Sequence, residues 1–191
     1  MAEPVTHRGR ITAENRLPGD ADKDTLLAEI VRVDQAGEYG AKRIYEGQLA
    51  VLGKTDVAPA LKAMLAQEEE HLQAFNRIMA ERAVRPTALE PVWHMAGFAL
   101  GATTALLGKD AAMACTVAVE NVIAEHYAEQ AAQLGDDERD LRETITRFRG
   151  DELHHRDVSL AHGAENAPAY PVLTAAVSAG TRLAIWLSKK I

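Results

Sequence analysis

The sequence predicts an all-α protein, a four-helix bundle with two additional apolar helices. Three observations carry this. Alanine is abundant, while β-branched runs, aromatics and Asn-Gly turns are scarce, a balance that favours helix over strand. Four long segments are amphipathic with helical period. The turns between segments are short, as packed neighbours require. At 191 residues, one domain can bury a sizeable core without disulfides.

The first helix opens near Asp22 or Asp24 and ends at Gly53 in LAVLGKTD, with Thr55 and Asp56 as cap candidates for the next. The second runs from about Ala58 to Ala83 and halts before Pro86; Pro59 is tolerated in its first turn. The third spans Pro91 to about Leu107, and the fourth runs from Lys109 or Asp110 to Gly135. The fifth begins at Asp136 or Asp137 and continues to about His162 despite Gly150; the sixth runs from Pro168 to the basic end SKKI. Helices one, two, four and five form the bundle.

Helices three and six differ. VWHMAGFALGATTALL holds 16 residues without a charge, and YPVLTAAVSAGTRLAIWL has only Arg182. Neither reaches the roughly 20 apolar residues that span a bilayer. Two such helices beside a complete bundle point to an apolar surface that lies on lipid or on a partner. Gly97 and Gly101 stand at GxxxG spacing, which permits close helix contact. Residues 1–21 are expected to form a mobile N-terminal arm and 22–191 the helical domain.

A net charge of −7 and the lack of a basic stripe exclude nucleic acid as a partner. Cys115 is the only cysteine, so no intrachain disulfide or thiolate metal cluster can form. Within AAMACTVAV it is expected to be a buried, inert thiol. No apolar stretch follows a basic N-terminus, and Glu3, Glu14 and Asp20 argue against a transit peptide. A reducing interior compartment is the expectation.

The chemistry lies in a repeated constellation. Glu68 and His71 are three residues apart, hence about 60° apart around a helix and on one face. Glu152 and His155 repeat that spacing. A lone glutamate in small or apolar company precedes each pair: Glu38 in DQAGEYGA by 30 residues, Glu120 in TVAVENVIA by 32. The order E…ExxH…E…ExxH is an internal duplication of one helical hairpin. Four carboxylates converging in a bundle interior would repel and protonate unless cations were present. Two divalent ions balance them, and the two imidazoles complete coordination without adding charge. Carboxylates with one imidazole per metal suit iron or manganese better than zinc. This ligand set is that of ferritin-like di-iron bundles.

The other polar residues mostly read as surface. Glu69, Glu70, Glu125 and His154 turn away from the ligand face and are expected to be exposed or paired with bases such as Arg77 and Arg156. Asp34, one turn before Glu38, could orient a ligand histidine, and His126 could donate from behind the ligands. Tyr45 and Tyr127 each stand seven residues after a lone glutamate, on nearly the same face. Either could pack with its hydroxyl bonded, or pass an electron or proton between substrate and metals; packing is the expectation for Tyr45 and the redox role the one to test for Tyr127.

The blocks RVDQAGEYGAKRIYEGQLAVLG, QEEEHLQAFN, GFALGATTALLGKDAAMACTVAVENVIAEHYAEQ, DELHHRDV and AENAPAYPVLTAAVSAGTRLAIWLS resemble the demethoxyubiquinone hydroxylase family, di-iron monooxygenases of ubiquinone biosynthesis. The resemblance runs from about Asp24 to Ile191, with QLGDDERD a compact connection that bears only on a surface loop. It implies metal ligation by Glu38, Glu68, His71, Glu120, Glu152 and His155, and a catalytic Tyr127. The implied reaction is dioxygen-dependent hydroxylation of the ring of a polyprenyl 6-methoxy-3-methyl-benzoquinol. Electrons would come from the quinol itself or from NADH, although no GxGxxG after a strand is present to bind a dinucleotide.

A quinone with a long isoprenoid tail stays in lipid, so peripheral attachment to a membrane surface is expected, with Arg182, Lys189 and Lys190 meeting anionic lipid. The site would be the cytoplasmic face of a bacterial inner membrane, or alternatively the matrix face of the mitochondrial one. The same apolar surface would serve a homo-oligomer or a lipid-carrying partner. Two rival readings are an iron-storage protein of the ferritin type and a metal-free helical adaptor.

Overall fold

The computed structural model describes residues 22–191; the expected arm at 1–21 lies outside them. Six α-helices account for nearly all of the described chain: α1 Lys23–Leu52, α2 Ala58–Glu81, α3 Glu90–Leu106, α4 Lys109–Gln133, α5 Arg139–Ala161 and α6 Tyr170–Lys190. No strand occurs among the described residues. The all-α, ferritin-like expectation is borne out.

Local signals set most boundaries. Asp22 caps α1, accepting from the Thr25 N–H at 2.7 Å. Pro59, Pro91 and Pro171 sit in the first turns of α2, α3 and α6, where no amide donor is needed. The structure differs at three places. Val57 occupies the cap position of α2 without a side-chain bond; Thr55 instead turns back to Leu52 O and Asp56 pairs with Lys109. Asp136–Glu138 form a short 3-10 turn before α5. A second such turn, Ala164–Asn166, and a left-handed Ala169 delay α6 beyond Pro168.

The α1–α2 and α4–α5 hairpins make the bundle, α3 lies along α1, and α6 lies along α4. The duplication therefore extends to a third helix in each half. The α1–α3 seam is backbone on backbone. A Cβ on Gly47 would run into the Phe98 carbonyl, and one on Gly101 into the Ile44 carbonyl. Glycine at these crossings lets two helices approach to their main chains, the use that the GxxxG spacing of α3 anticipated.

The core, including Val31, Phe75, Cys115 and Ile145, is closed. Its surface counterpart is not. Met95, Leu106, Val172, Leu183 and Trp186 on α3 and α6 are exposed, Met95 at 73% and Trp186 at 56%. Among the described residues, no helix is long and apolar enough to cross a membrane.

Candidate metal centre

Four helices deliver the six residues singled out above to one buried point. Glu38 on α1, Glu68 and His71 on α2, Glu120 on α4, and Glu152 and His155 on α5 are each at most 2% exposed. They form two sets whose ligand atoms all lie within 4.8 Å of one another: Glu38, Glu68, His71 and Glu152, and Glu68, Glu120, Glu152 and His155. Glu68 and Glu152 belong to both. Each set thus has one lone-helix glutamate, one imidazole and two shared carboxylates, the donor set of a dinuclear centre with bridging glutamates.

The atoms facing inward meet only one another, imidazole nitrogen to carboxylate oxygen at 3.0–3.4 Å. Both carboxylate oxygens of Glu68 and Glu152, Oε2 of Glu120, and Nδ1 of His71 and His155 are buried without a protein hydrogen bond. Leaving such groups unmet costs about 1–3 kcal/mol each, more for charged ones. Hard oxygen donors with one nitrogen per set fit iron. The cluster can hold a di-iron centre.

The backs of the ligands are held. His71 Nε2 lies 3.1 Å from Asp151 Oδ2, and His155 Nε2 lies 3.0 Å from Gln67 Oε1. An N–H donated there leaves Nδ1 free for the centre. Asp151 and Gln67 are the residues immediately before Glu152 and Glu68, so each hairpin orients the other's histidine. Tyr45 O–H donates to Glu120 Oε1 at 2.7 Å, and Tyr127 O–H donates to Glu38 Oε1. Both tyrosines therefore bond a lone-helix glutamate of the opposite half, Tyr45 as a buried ring with its hydroxyl bonded, as expected.

Asp34 orients no ligand histidine: its Oδ1 accepts from Gln130 Nε2 at 2.7 Å. Glu69, Glu70, Glu125 and His154 are exposed as expected, but their bases differ from those anticipated. Glu69 pairs with Lys42, Glu125 with Arg182, and Arg156 with Asp157. Sequence reasoning missed Asp151 and Gln67, although a polar residue before each ExxH glutamate is a repeat that could have found them.

The cluster shifts the affinities of its own members for protons. Burial, then the charges of Glu152, Glu38 and Glu120, pushes Glu68 well above the usual carboxylate range; burial, then Glu152, does the same to Glu120. Burial alone would raise Glu152 and lower His71. Their mutual contacts, with His155 on the first and Glu38 on the second, outweigh it, taking Glu152 to about 2 and His71 to about 10. His71, raised to about 10, keeps its second proton at neutral pH, and ligation requires that proton to leave. Loading ferrous ion at pH 7 in weak buffer should therefore release protons, and affinity should fall as pH drops. A pH-stat titration checks this; metal uptake without acid release would contradict it.

An apolar cavity of about 300 Å3 lies between α1, α3, α4 and α6. Its walls include Gly37 and Val119, the sequence neighbours of Glu38 and Glu120, together with Gly40, Ile44 and Leu100. Trp93 Nε1–H donates to Ser188 Oγ at 3.0 Å, tying α3 to α6 along the wall. A ligand of apolar body finds a concave site beside the cluster.

A sequence profile of the family described as "Ubiquinone biosynthesis protein COQ7" matches residues 25–188. The chain belongs to this family. The COQ7-family chain is 57% identical over 191 residues to a 3-demethoxyubiquinol 3-hydroxylase of Rhodospirillum rubrum, covering 99% of this chain and 90% of that protein. It is 54% identical over 166 residues to the human protein named NADPH-dependent 3-demethoxyubiquinone 3-hydroxylase, mitochondrial, covering 85% and 76% of the two chains. To the 5-demethoxyubiquinone hydroxylase, mitochondrial, of Saccharomyces cerevisiae it is 40% identical over 183 residues, covering 87% and 78%.

Proposed function

We propose that this COQ7-family chain is a dioxygen-dependent monooxygenase that hydroxylates the ring of a polyprenyl 6-methoxy-3-methyl-benzoquinol, taking demethoxyubiquinol to demethylubiquinol in ubiquinone biosynthesis. The single observation that carries the reading is the pair of buried carboxylate–imidazole sets sharing Glu68 and Glu152. Glu38, Glu68, His71, Glu120, Glu152 and His155 are the proposed ligands. When bound there, two iron ions supply the activation and reductive cleavage of dioxygen.

The rest is the work of side chains. Asp151 and Gln67 fix the imidazoles through their outer nitrogens, so the ligand geometry is set before substrate arrives. The apolar cavity takes the benzoquinol ring and the first isoprene units, excludes water, and holds the ring beside Glu38 and Glu120. Tyr127 is the proposed catalytic residue, its hydroxyl on Glu38 standing between cluster and surroundings. In Tyr127→Phe, reduction of the iron pair in a single turnover should slow about 100-fold or more, the low end of the range for a lost proton-transfer group, with iron content unchanged. Unchanged reduction kinetics would remove that role.

The reductant is the quinol itself or NADH; the human relative's name specifies NADPH. The exposed apolar residues of α3 and α6, with Lys189 and Lys190 at the end of α6, support peripheral attachment to an anionic membrane surface. The bacterial inner membrane's cytoplasmic face is the proposed site, the mitochondrial matrix face its alternative. Self-association or a lipid-carrying partner would use the same helices. Adding anionic vesicles should shift and intensify Trp186 emission, and no binding to such vesicles would contradict the attachment.

The test of the function supplies demethoxyubiquinol, reductant and labelled dioxygen to iron-loaded protein and follows product mass. One labelled oxygen in the ring is expected. Iron that accumulates far beyond two per chain, without product, would favour storage instead (two per chain follows from the two sets).

A further inference from the structure

The two metal positions are built alike where they face each other. Each has one imidazole, one lone-helix glutamate and the shared Glu68 and Glu152. Each lone glutamate also accepts from a tyrosine hydroxyl of the other half. What differs lies behind the imidazoles.

The duplication supplies an internal comparison. Positions 84 residues apart on α2 and α5 correspond, as Glu68 does to Glu152 and His71 to His155. By the same shift Gln67 corresponds to Asp151. The outer nitrogen of His71 thus meets a carboxylate, Asp151 Oδ2 at 3.1 Å, and that of His155 meets a neutral amide oxygen, Gln67 Oε1 at 3.0 Å. The two contacts are nearly equal in length and differ in charge. Among the described residues, Asp151 forms an ion pair with His71 and with no lysine or arginine. Its side chain is 31% exposed, so water screens that charge only in part.

The ring faces differ as well. Phe148 stacks on His71 with centroids 3.9 Å apart, and Phe75 packs edge-on against Phe148. His155 instead meets the Tyr45 ring edge-on at 6.1 Å. Met64 stands where the other half has Phe148, and its sulfur lies 3.7 Å from the Tyr45 hydroxyl. The stacked ring fixes the plane of His71, so its Nε2–H stays aimed at Asp151 and its Nδ1 at the cluster.

We propose that the two positions fill in order: the one at His71 and Glu38 takes a divalent cation before the one at His155 and Glu120, because Asp151 stands behind its imidazole. The order rests on the reading of the cluster as a dinuclear metal centre. A carboxylate on the outer N–H makes the ring a stronger donor at Nδ1. Such a charge-assisted bond is about twice as strong as its neutral counterpart, and it strengthens as the ligated ring gains positive character. His71 has a proton to lose on ligation. Replacing one proton by a divalent ion still adds a positive charge beside Asp151, so the carboxylate favours the exchange. Gln67 brings no such charge to His155. A chain that holds a single ion therefore holds it at His71, and Asp151 is the positioning residue that decides this.

The test reads metal affinity apart from turnover. Manganese(II), which suits oxygen-rich sites, is titrated into metal-free full-length protein at one pH, and the free ion is counted by electron paramagnetic resonance. Glu120→Ala leaves the His71 position its four ligands, and Glu38→Ala leaves the His155 position its four. Glu120→Ala should bind one ion at least about tenfold more tightly than Glu38→Ala. Asp151→Asn, added to Glu120→Ala, keeps an acceptor of the same shape without the charge and should weaken binding about 10- to 100-fold. Gln67→Glu, added to Glu38→Ala, supplies the charge and should tighten binding about tenfold. Equal affinity in the two single-position variants, or native affinity with Asp151→Asn, overturns the order; a merely structural Asp151 would be replaced by asparagine without loss. Should an alanine variant not fold, Asp151→Asn decides in the intact ligand set, where the first binding step should weaken and an unchanged first step overturns the order. Native protein that takes up no manganese and no iron would overturn the dinuclear reading itself, and the order with it.

Discussion

Glu152→Ala should strip the protein of both iron ions and abolish hydroxylation. Glu152 is completely buried and belongs to both ligand sets, so its loss removes an oxygen from each site and leaves the Nδ1 atoms of His71 and His155 without their shared counter-charge. Glu120 belongs to one set. Glu120→Ala should therefore retain up to one ion per chain while hydroxylation is still lost, since dioxygen chemistry needs the pair. Iron analysis of protein grown with iron separates the two variants. Circular dichroism should stay native in Glu120→Ala, which removes one of four mutually repelling carboxylates from the interior, and melting should occur earlier in Glu152→Ala, which leaves the two imidazoles without their counter-charge. Full iron content in Glu152→Ala would refute the bridging assignment.

The second large effect is Gly40→Leu. A Cβ at Gly40 meets nothing within 4 Å, so the side chain enters the apolar cavity without forcing the helices apart. A hydrophobic site discriminates about 10- to 200-fold for one methylene, and leucine adds several. We expect kcat/KM for the polyprenyl substrate to fall by about 100-fold or more on that scale, with two irons still bound. Gly40→Ala is the milder companion, with a loss of about tenfold or less. Native kcat/KM in Gly40→Leu would mean that the ring reaches the cluster elsewhere.

The six residues of the buried cluster were legible because helical geometry is local: Glu at i and His at i+3 must share a face, and two copies at near-equal distance from a lone glutamate reveal the repeat. What was not legible depends on register between helices. Asp34 stands one turn from Glu38, which made it a natural candidate to support a histidine, yet the crossing of α1 and α4 turns it to Gln130. The support comes from Asp151 and Gln67 on the opposite hairpins, and no spacing within one helix encodes that. Tyr45 and Tyr127, equivalent in sequence position, make equivalent bonds, but that each reaches the other half's glutamate follows only from how the duplicated halves meet at the centre. The helix ends show the same limit on a smaller scale. Asp56 suits a cap chemically, and it is drawn away by Lys109 from another element.

The glycine seam between α1 and α3 also has a mechanical meaning. With Gly47 and Gly101 set against the facing carbonyls, α3 is seated main chain to main chain on the helix that bears Glu38. On a lipid surface, the reacting atoms would then ride at a constant height above the acyl chains. The enzyme would act as a ruler: a ring must rise by that fixed span to react while its tail stays anchored below.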